Sequence, residues 1–135
     1  MNKNEAGAVI LRIVLGLTFF IHGFVKFQGG INNTVGFFDS IGIPGFLAYL
    51  VAGIELIGGI ALILGIGTRI VSVLFAVIML GAIFTVKFPL GFLGNGQMAG
   101  YEMELALLAM AIFLAFANQS RFSLDNKVFN KEEGK

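Results

Sequence analysis

The sequence predicts an all-α fold, a four-helix transmembrane bundle with both termini in the cytoplasm (N-in/C-in). Of its 135 residues, 57% are apolar and 13% are charged, whereas a soluble domain carries about 25% charged residues. Four apolar runs approach or exceed the length of about 20 residues that a helix needs to cross the hydrocarbon of a bilayer. Because the runs are continuously apolar and do not alternate, they indicate helices and not strands of a membrane barrel.

The first run covers residues 6–25 and is interrupted only by Arg12 and His22. Its length and the charge of Arg12 favour a retained helix over a cleaved signal peptide. The second run, residues 44–64, opens with Pro44, which suits a first helical turn because its missing N–H is no loss there. The third covers residues 70–86. The fourth, residues 101–117, is short and is expected to extend by a few residues at either end.

The orientation follows from the Lys and Arg residues outside the spans, which collect on the cytoplasmic side. Four spans put both termini and the turn between the second and third helices on one side. That side holds six basic residues, Lys3, Arg69, Arg121, Lys127, Lys131 and Lys135. The other side holds only Lys26 and Lys87, so it is expected to face outward at the cell membrane.

Residues 1–125 are expected to form one membrane domain, followed by a charged cytoplasmic tail at 126–135. The outer loop at residues 28–43 is expected to contain a short interfacial helix. It places Phe37 and Phe38 beside polar residues, a mixture that suits the headgroup region.

Composition also excludes several functions. The net charge of +1 gives no support for nucleic-acid binding. The absence of Cys excludes thiolate metal sites and iron–sulfur clusters, and a single His excludes a bis-His haem. No flavin or nicotinamide fingerprint is present, and no metal site is predicted.

Ionisable residues within apolar spans are the most informative, because each costs about 2.5–3.5 kcal/mol near the bilayer centre and normally faces the bundle or a wet cavity. His22 and Lys26 are four residues apart and share one helix face with Arg12. Glu55 lies near mid-bilayer in the second run. We expect Arg12 to pair with it, because a guanidinium satisfies both carboxylate oxygens.

Glu102 and Glu104 open the fourth run and point about 160° apart on a helix, so only one can face the interior. We assign Glu104 to the helix N-terminus, where a carboxylate suits the dipole, and Glu102 to the interior, where Lys87 can reach it. Two interpretations remain open. The charges either fix the helix register only, or line a ligand pocket formed by His22, Lys26, Glu55, Lys87 and Glu102.

Three motifs resemble the DoxX family. LRIVLGLTFFIHGFVKFQGG is similar to its first-helix pattern, GIELIGGIALILGIGTRI to its second signature, and GYEMELALLAMAIFLAF followed by SRFSLD to its end. Phe122 stands where the family commonly has Tyr. The family pattern positions are Arg12, His22, Lys26, Glu55, Thr68, Arg69 and Glu102.

The resemblance implies a four-helix membrane oxidoreductase associated with quinones, catechols and oxidative or electrophile stress. Under this hypothesis His22, Lys26 and Glu55 are catalytic, while His22, Lys26, Lys87 and Glu102 bind the substrate. Electrons would come from a partner protein, a diffusible quinol or a bound quinone, since the sequence predicts no other redox cofactor. The alternatives are a non-enzymatic binder or transporter of lipophilic molecules in the bilayer, and an accessory subunit of a redox complex or homo-oligomer.

Overall fold

The computed structural model describes residues 3–117, which form five helices. They are α1 (Lys3–Gln28), α2 (Ile31–Ser40), α3 (Phe46–Leu64), α4 (Thr68–Ala82) and α5 (Glu102–Phe116). A π-helical turn at Ile83–Lys87 and a 3-10 turn at Phe88–Leu90 follow the C-terminal end of α4. The expected charged tail and the SRFSLD motif lie outside the described residues.

Three of the described helices are long and apolar enough to cross a membrane: Lys3–Gln28, Phe46–Leu64 and Thr68–Leu90. They correspond to the first three predicted spans. The fourth predicted span appears as α5, which has 15 residues. The all-helical membrane fold is therefore confirmed. The structure also contains a helix, α2, in the loop where an interfacial helix was predicted.

Large apolar side chains cover the outer surface of these helices. Ile57, Ile70 and Val77 are each at least 60% exposed, although all three lie within candidate spans. An apolar exterior of this kind is unfavourable in water and favourable against lipid tails. The chain is thus a membrane protein whose exposed apolar residues face the bilayer.

Glycines bring α1 and α3 into close antiparallel contact. A Cβ atom added to Gly59 would lie 2.5 Å from the carbonyl oxygen of Gly16 and 2.6 Å from the backbone nitrogen of Phe20. A Cβ on Gly23 would lie 2.7 Å from the nitrogen of Leu56. Small residues allow helix backbones to approach in membranes, where van der Waals packing drives association. The α1–α3 contact is therefore a glycine interface.

The core joins this helix pair to α4 and α5. Phe19 of α1 stacks on Phe75 of α4 with ring centroids 3.8 Å apart, and Phe75 also packs against Gly58 of α3. Buried residues of α5, including Leu107 and Ala111, complete this cluster. The hydrophobic core of the bundle therefore includes the stacked rings of Phe19 and Phe75.

The connection between α3 and α4 is short because Gly65 ends α3 in the left-handed conformation, with φ of 78°. The N–H of Ile66 donates to the carbonyl of Ala61 at 2.8 Å, which satisfies a carbonyl that the helix end would leave without a partner. Residues with a Cβ adopt this φ rarely. The turn therefore starts α4 antiparallel to α3 within three residues.

Candidate functional site

A cavity of about 740 Å³ lies within the bundle, on the side of Phe19 toward α2. All five helices contribute to its wall, which is mainly apolar. Its ionisable residues are His22 and Lys26 from α1, Glu55 from α3, Lys87 from the π-helical turn and Glu104 from α5. Four of these were singled out from the sequence as pocket residues. The structure thus brings His22, Lys26, Glu55 and Lys87 to one cavity.

Lys26 and Glu55 form an ion pair across the α1–α3 interface. Lys26 Nζ donates a short hydrogen bond to Glu55 Oε1. The Glu55 side chain is 3% exposed and that of Lys26 is 29% exposed. The Glu55 carboxylate is deeply buried, whereas the Lys26 side chain is partly exposed and lines the cavity. Because Gly23 has no Cβ, α3 can approach α1 beside this pair.

The expected pairing of Glu55 with Arg12 is corrected by this contact. Gly16 lies against Gly59 and Ile63, so the antiparallel register places Arg12, one turn earlier, beside Ile63 and the α3–α4 turn. Eight residues of helix separate Ile63 from Glu55, a distance of about 12 Å. Arg12 is buried but is not a cavity residue. The positions of Arg12 and Glu55 along their own spans do not reveal this difference, because it depends on the register between α1 and α3.

A second pair lies on the opposite wall. Lys87 Nζ is 3.8 Å from Glu104 Oε1 and donates a hydrogen bond of 3.2 Å to the carbonyl oxygen of Ala99. Glu104 is 8% exposed, and its other oxygen, Oε2, has no hydrogen-bond partner within the described part of the chain. A buried carboxylate oxygen in this position can accept a hydrogen bond from a bound hydroxyl group.

Glu104, and not Glu102, is therefore the inward carboxylate of α5. Glu102 is exposed and does not line the cavity. The two side chains do point to different faces, as their spacing predicts, but their assignment was reversed. The buried positions of α5 show the reason: Leu107, Leu108 and Ala111 follow Glu104 at intervals of three, four and seven residues, the period of one helix face.

The π-helical turn at Ile83–Lys87 orients Lys87. A π turn contains more residues than an α turn, so it changes the direction of the side chains that follow it. Thr85 Oγ1 donates a hydrogen bond of 2.6 Å to the carbonyl oxygen of Gly81. This oxygen, next to the π-helical turn, therefore has a side-chain partner. Both Thr85 and Lys87 line the cavity. The sequence contains no Pro or Gly within 83–87 that would indicate this turn.

His22 lies on the cavity wall one turn before Lys26 and is exposed. From α2, Asn33, Thr34, Phe37 and Phe38 complete the wall. Sequence reasoning placed these α2 residues at the membrane interface and missed their part in the pocket. Among residues 3–117, no three His, Cys, Asp or Glu side chains are grouped as metal ligands. The ionisable groups that can contact a ligand are therefore those of the two Lys–Glu pairs and His22.

Comparison with known proteins relates the chain to one family and to several bacterial proteins. The DoxX family model matches residues 7–88. The chain is 47% identical over 130 residues to a Bacillus subtilis (strain 168) protein named "Putative oxidoreductase CatD", covering 96% of this chain and 92% of that protein.

It is also 33% identical to a membrane protein of Mycobacterium tuberculosis (strain ATCC 25618 / H37Rv), over 93% of this chain and 83% of the relative. An Escherichia coli (strain K12) inner membrane protein, YqjF, is 26% identical over 95% of both chains. No solved structure matched the chain.

Proposed function

Because the chain belongs to the DoxX family, we propose that it is a membrane oxidoreductase that acts on quinones and catechols held in the cavity between its helices. The name of the Bacillus subtilis relative supports oxidoreductase chemistry. The observation that carries the proposal is the placement of two Lys–Glu pairs and His22 on a mainly apolar cavity wall.

The wall matches what a quinone or a ring diol requires. Quinone oxygens accept hydrogen bonds, which the ammonium groups of Lys26 and Lys87 can donate. Diol hydroxyls donate hydrogen bonds, which Glu55 and Glu104 can accept. A positive group beside an oxygen that gains negative charge during the reaction stabilises that charge. His22 would exchange the proton, as His does in general acid–base catalysis near neutral pH.

The proposed reaction transfers two electrons and two protons from a ring diol to a quinone. The donor loses the hydrogens of its two hydroxyl groups and becomes a quinone. The acceptor gains one hydrogen on each carbonyl oxygen and becomes a diol. Electrons and protons balance between these two molecules, and the protein residues bind the rings, orient them and exchange protons. Removal of reactive quinones in this way would serve oxidative or electrophile stress defence.

The direct test uses the full chain, purified and placed in lipid nanodiscs with an ortho-quinone and a membrane quinol. Absorption spectra should show the ortho-quinone reduced to its catechol as the quinol is oxidised to the membrane quinone. Mass spectrometry of the extracted protein should identify any small molecule that it carries. Tight binding without turnover would instead support a binder or transporter. Turnover that requires co-purifying redox subunits would support an accessory subunit.

Replacing His22 with Gln should flatten the pH dependence of turnover between pH 5 and 8. The chain has one His, and the charged groups that line the cavity with it are Lys26 on its own helix and Glu55, Lys87 and Glu104 on other elements. Histidine is the side-chain type that ordinarily titrates in this range. Steady-state rates across this range provide the measurement, with Thr34→Val, also on the cavity wall, as the control. An unchanged profile in His22→Gln would contradict proton exchange by this residue.

We propose that the protein lies in the plasma membrane, crosses it four times and has both termini in the cytoplasm. The chain has no Cys, so single cysteines can be introduced without background. Asn32→Cys and Gln97→Cys, both at exposed positions, should react with an impermeant maleimide in intact cells, whereas Lys131→Cys should react only after lysis. The opposite pattern would reverse the orientation.

A further inference from the structure

The outer halves of α3 and α4 are separated by an apolar gap. The helices touch at Gly58, where an added Cβ would lie 2.9 Å from the ring of Phe75. Beyond this contact they face each other across the cavity. The cavity-lining residues of these segments are Leu47, Leu50, Val51 and Ile54 from α3 and Leu74, Val77, Ile78, Met79, Gly81 and Ala82 from α4. No side chain in this set contains an oxygen or nitrogen atom.

This gap opens onto the hydrocarbon of the bilayer. Leu50 is 54% exposed and Val77 is 60% exposed, although both line the cavity. Both lie within segments long and apolar enough to span a membrane. The α3–α4 gap therefore joins the cavity to lipid, while the two Lys–Glu pairs lie further inside.

The dimensions of the gap suit a hydrocarbon chain. Leu74 and Ala82 are eight residues apart on α4, so the apolar wall extends for about 12 Å. The whole cavity, at about 740 Å³, falls in the range that holds a drug-sized ligand. A single small ring would leave much of this apolar surface without a contact. A tail attached to the ring would cover it.

We propose that the α3–α4 gap binds the hydrocarbon tail of a lipid-borne quinone, which enters the cavity sideways from the bilayer. This inference rests on the proposed function, because the ring of the same molecule would occupy the polar part of the cavity. The charges of that part favour an uncharged ring over a phospholipid headgroup. Lys26 and Lys87 are each matched by a carboxylate, Glu55 and Glu104, so the Lys–Glu pairs supply no excess positive charge for a phosphate.

The test compares two probes that share one ring: 2,3-dimethoxy-5-methyl-benzoquinone and its decyl-tailed form. Binding to the full chain in detergent micelles is measured, with ligand expressed as a mole fraction in the micelle so that partitioning does not contribute. The wild-type protein should bind the tailed probe at least about tenfold more tightly, a difference of about 1.4 kcal/mol. This gain would come from packing of the tail against the walls of the gap, because transfer of the tail out of micelle hydrocarbon contributes no hydrophobic free energy.

Val77→Trp fills the gap from α4, and Val73→Trp is its matched control, since Val73 is exposed on the same helix but does not line the cavity. Leu50→Trp and Ile57→Trp form a second such pair on α3. Both gap variants should lose the preference for the tail while retaining the affinity for the bare ring. Both controls should behave as the wild type.

Four results would overturn the proposal. Ring binding without a tail preference in the wild-type protein would remove the tail site and leave the proposed function standing. A tail preference that survives in both gap variants would place the tail elsewhere. A phosphatidylglycerol molecule seen by native mass spectrometry on the wild type and lost from Val77→Trp, without a tail preference, would assign the gap to a phospholipid. Failure of both probes to bind the wild type would instead contradict the proposed function itself, and the tail site with it.

Discussion

Replacing Lys26 with Met should lower the free energy of unfolding by about 3–5 kcal/mol, the usual consequence of removing one partner from a buried ion pair. The loss is large because Glu55 is 3% exposed and would keep its carboxylate without a cation. Glu55→Gln should cost about 1 kcal/mol or less, in the range of exposed pairs. The remaining Lys26 side chain is 29% exposed and can extend toward water.

This asymmetry can be measured by unfolding the protein with sodium dodecyl sulfate in mixed micelles. The double variant Lys26→Met/Glu55→Gln should be more stable than Lys26→Met alone, since the amide leaves no buried charge. Lys3→Met removes a basic residue from an exposed position of the same helix and serves as the control. Equal, additive losses from the two single changes would show that the pair does not stabilise the bundle.

Replacing Gly59 with Ala should separate α1 from α3 and lower the free energy of unfolding by about 1–3 kcal/mol or more, as overpacking does in other tightly packed cores. The new Cβ would lie 2.5 Å from the carbonyl oxygen of Gly16 and 2.6 Å from the nitrogen of Phe20. Both are backbone atoms, so relief requires movement of a whole helix rather than rotation of a side chain.

Gly53→Ala is the matched control for this change, because Gly53 is on the same helix and an added Cβ would have no neighbour within 4 Å. Alanine is the better helix former by about 1 kcal/mol, so Gly53→Ala should leave stability unchanged or raise it. Detergent unfolding of both variants provides the comparison. A Gly59→Ala protein as stable as Gly53→Ala would contradict the glycine interface.

Most of the fold was predictable because apolar run length is a strong signal in a membrane protein. The third predicted span, residues 70–86, differs from the structure in a way that the sequence does not encode locally. The α-helix ends at Ala82 and continues as a π-helical turn. Hydropathy describes how apolar a segment is and contains no information about the number of residues per turn.

Within the candidate site, the inward face of α1 was predictable and that of α5 was not. On α1 the polar residues His22 and Lys26 mark one face, and buried glycines lie beside it. On α5 the residues are apolar on all sides after Glu104, so periodicity does not distinguish the interior from the lipid face. The choice between Glu102 and Glu104 depended on packing with Lys87, which only the folded structure shows.

The partner of Glu55 was misassigned for a different reason. The depth of a residue along its own helix can be estimated from the sequence, whereas contact between two antiparallel helices depends on their register. Gly16 and Gly23 determine that register through their approach to α3. The sequence shows that these two residues are glycines. Only the folded structure shows that they contact α3 and which residues of α3 they contact.

The distance in sequence between Lys26 and Glu55, 29 residues, constrains how the chain enters the membrane during synthesis. α1 emerges from the ribosome first and carries Lys26 toward the bilayer before its carboxylate partner has been made. Until α3 has been made, the Lys26 ammonium group has no carboxylate to pair with and is best stabilised by water. α1 should therefore stay beside the insertion machinery, with Lys26 hydrated, until α3 arrives and Glu55 neutralises that charge.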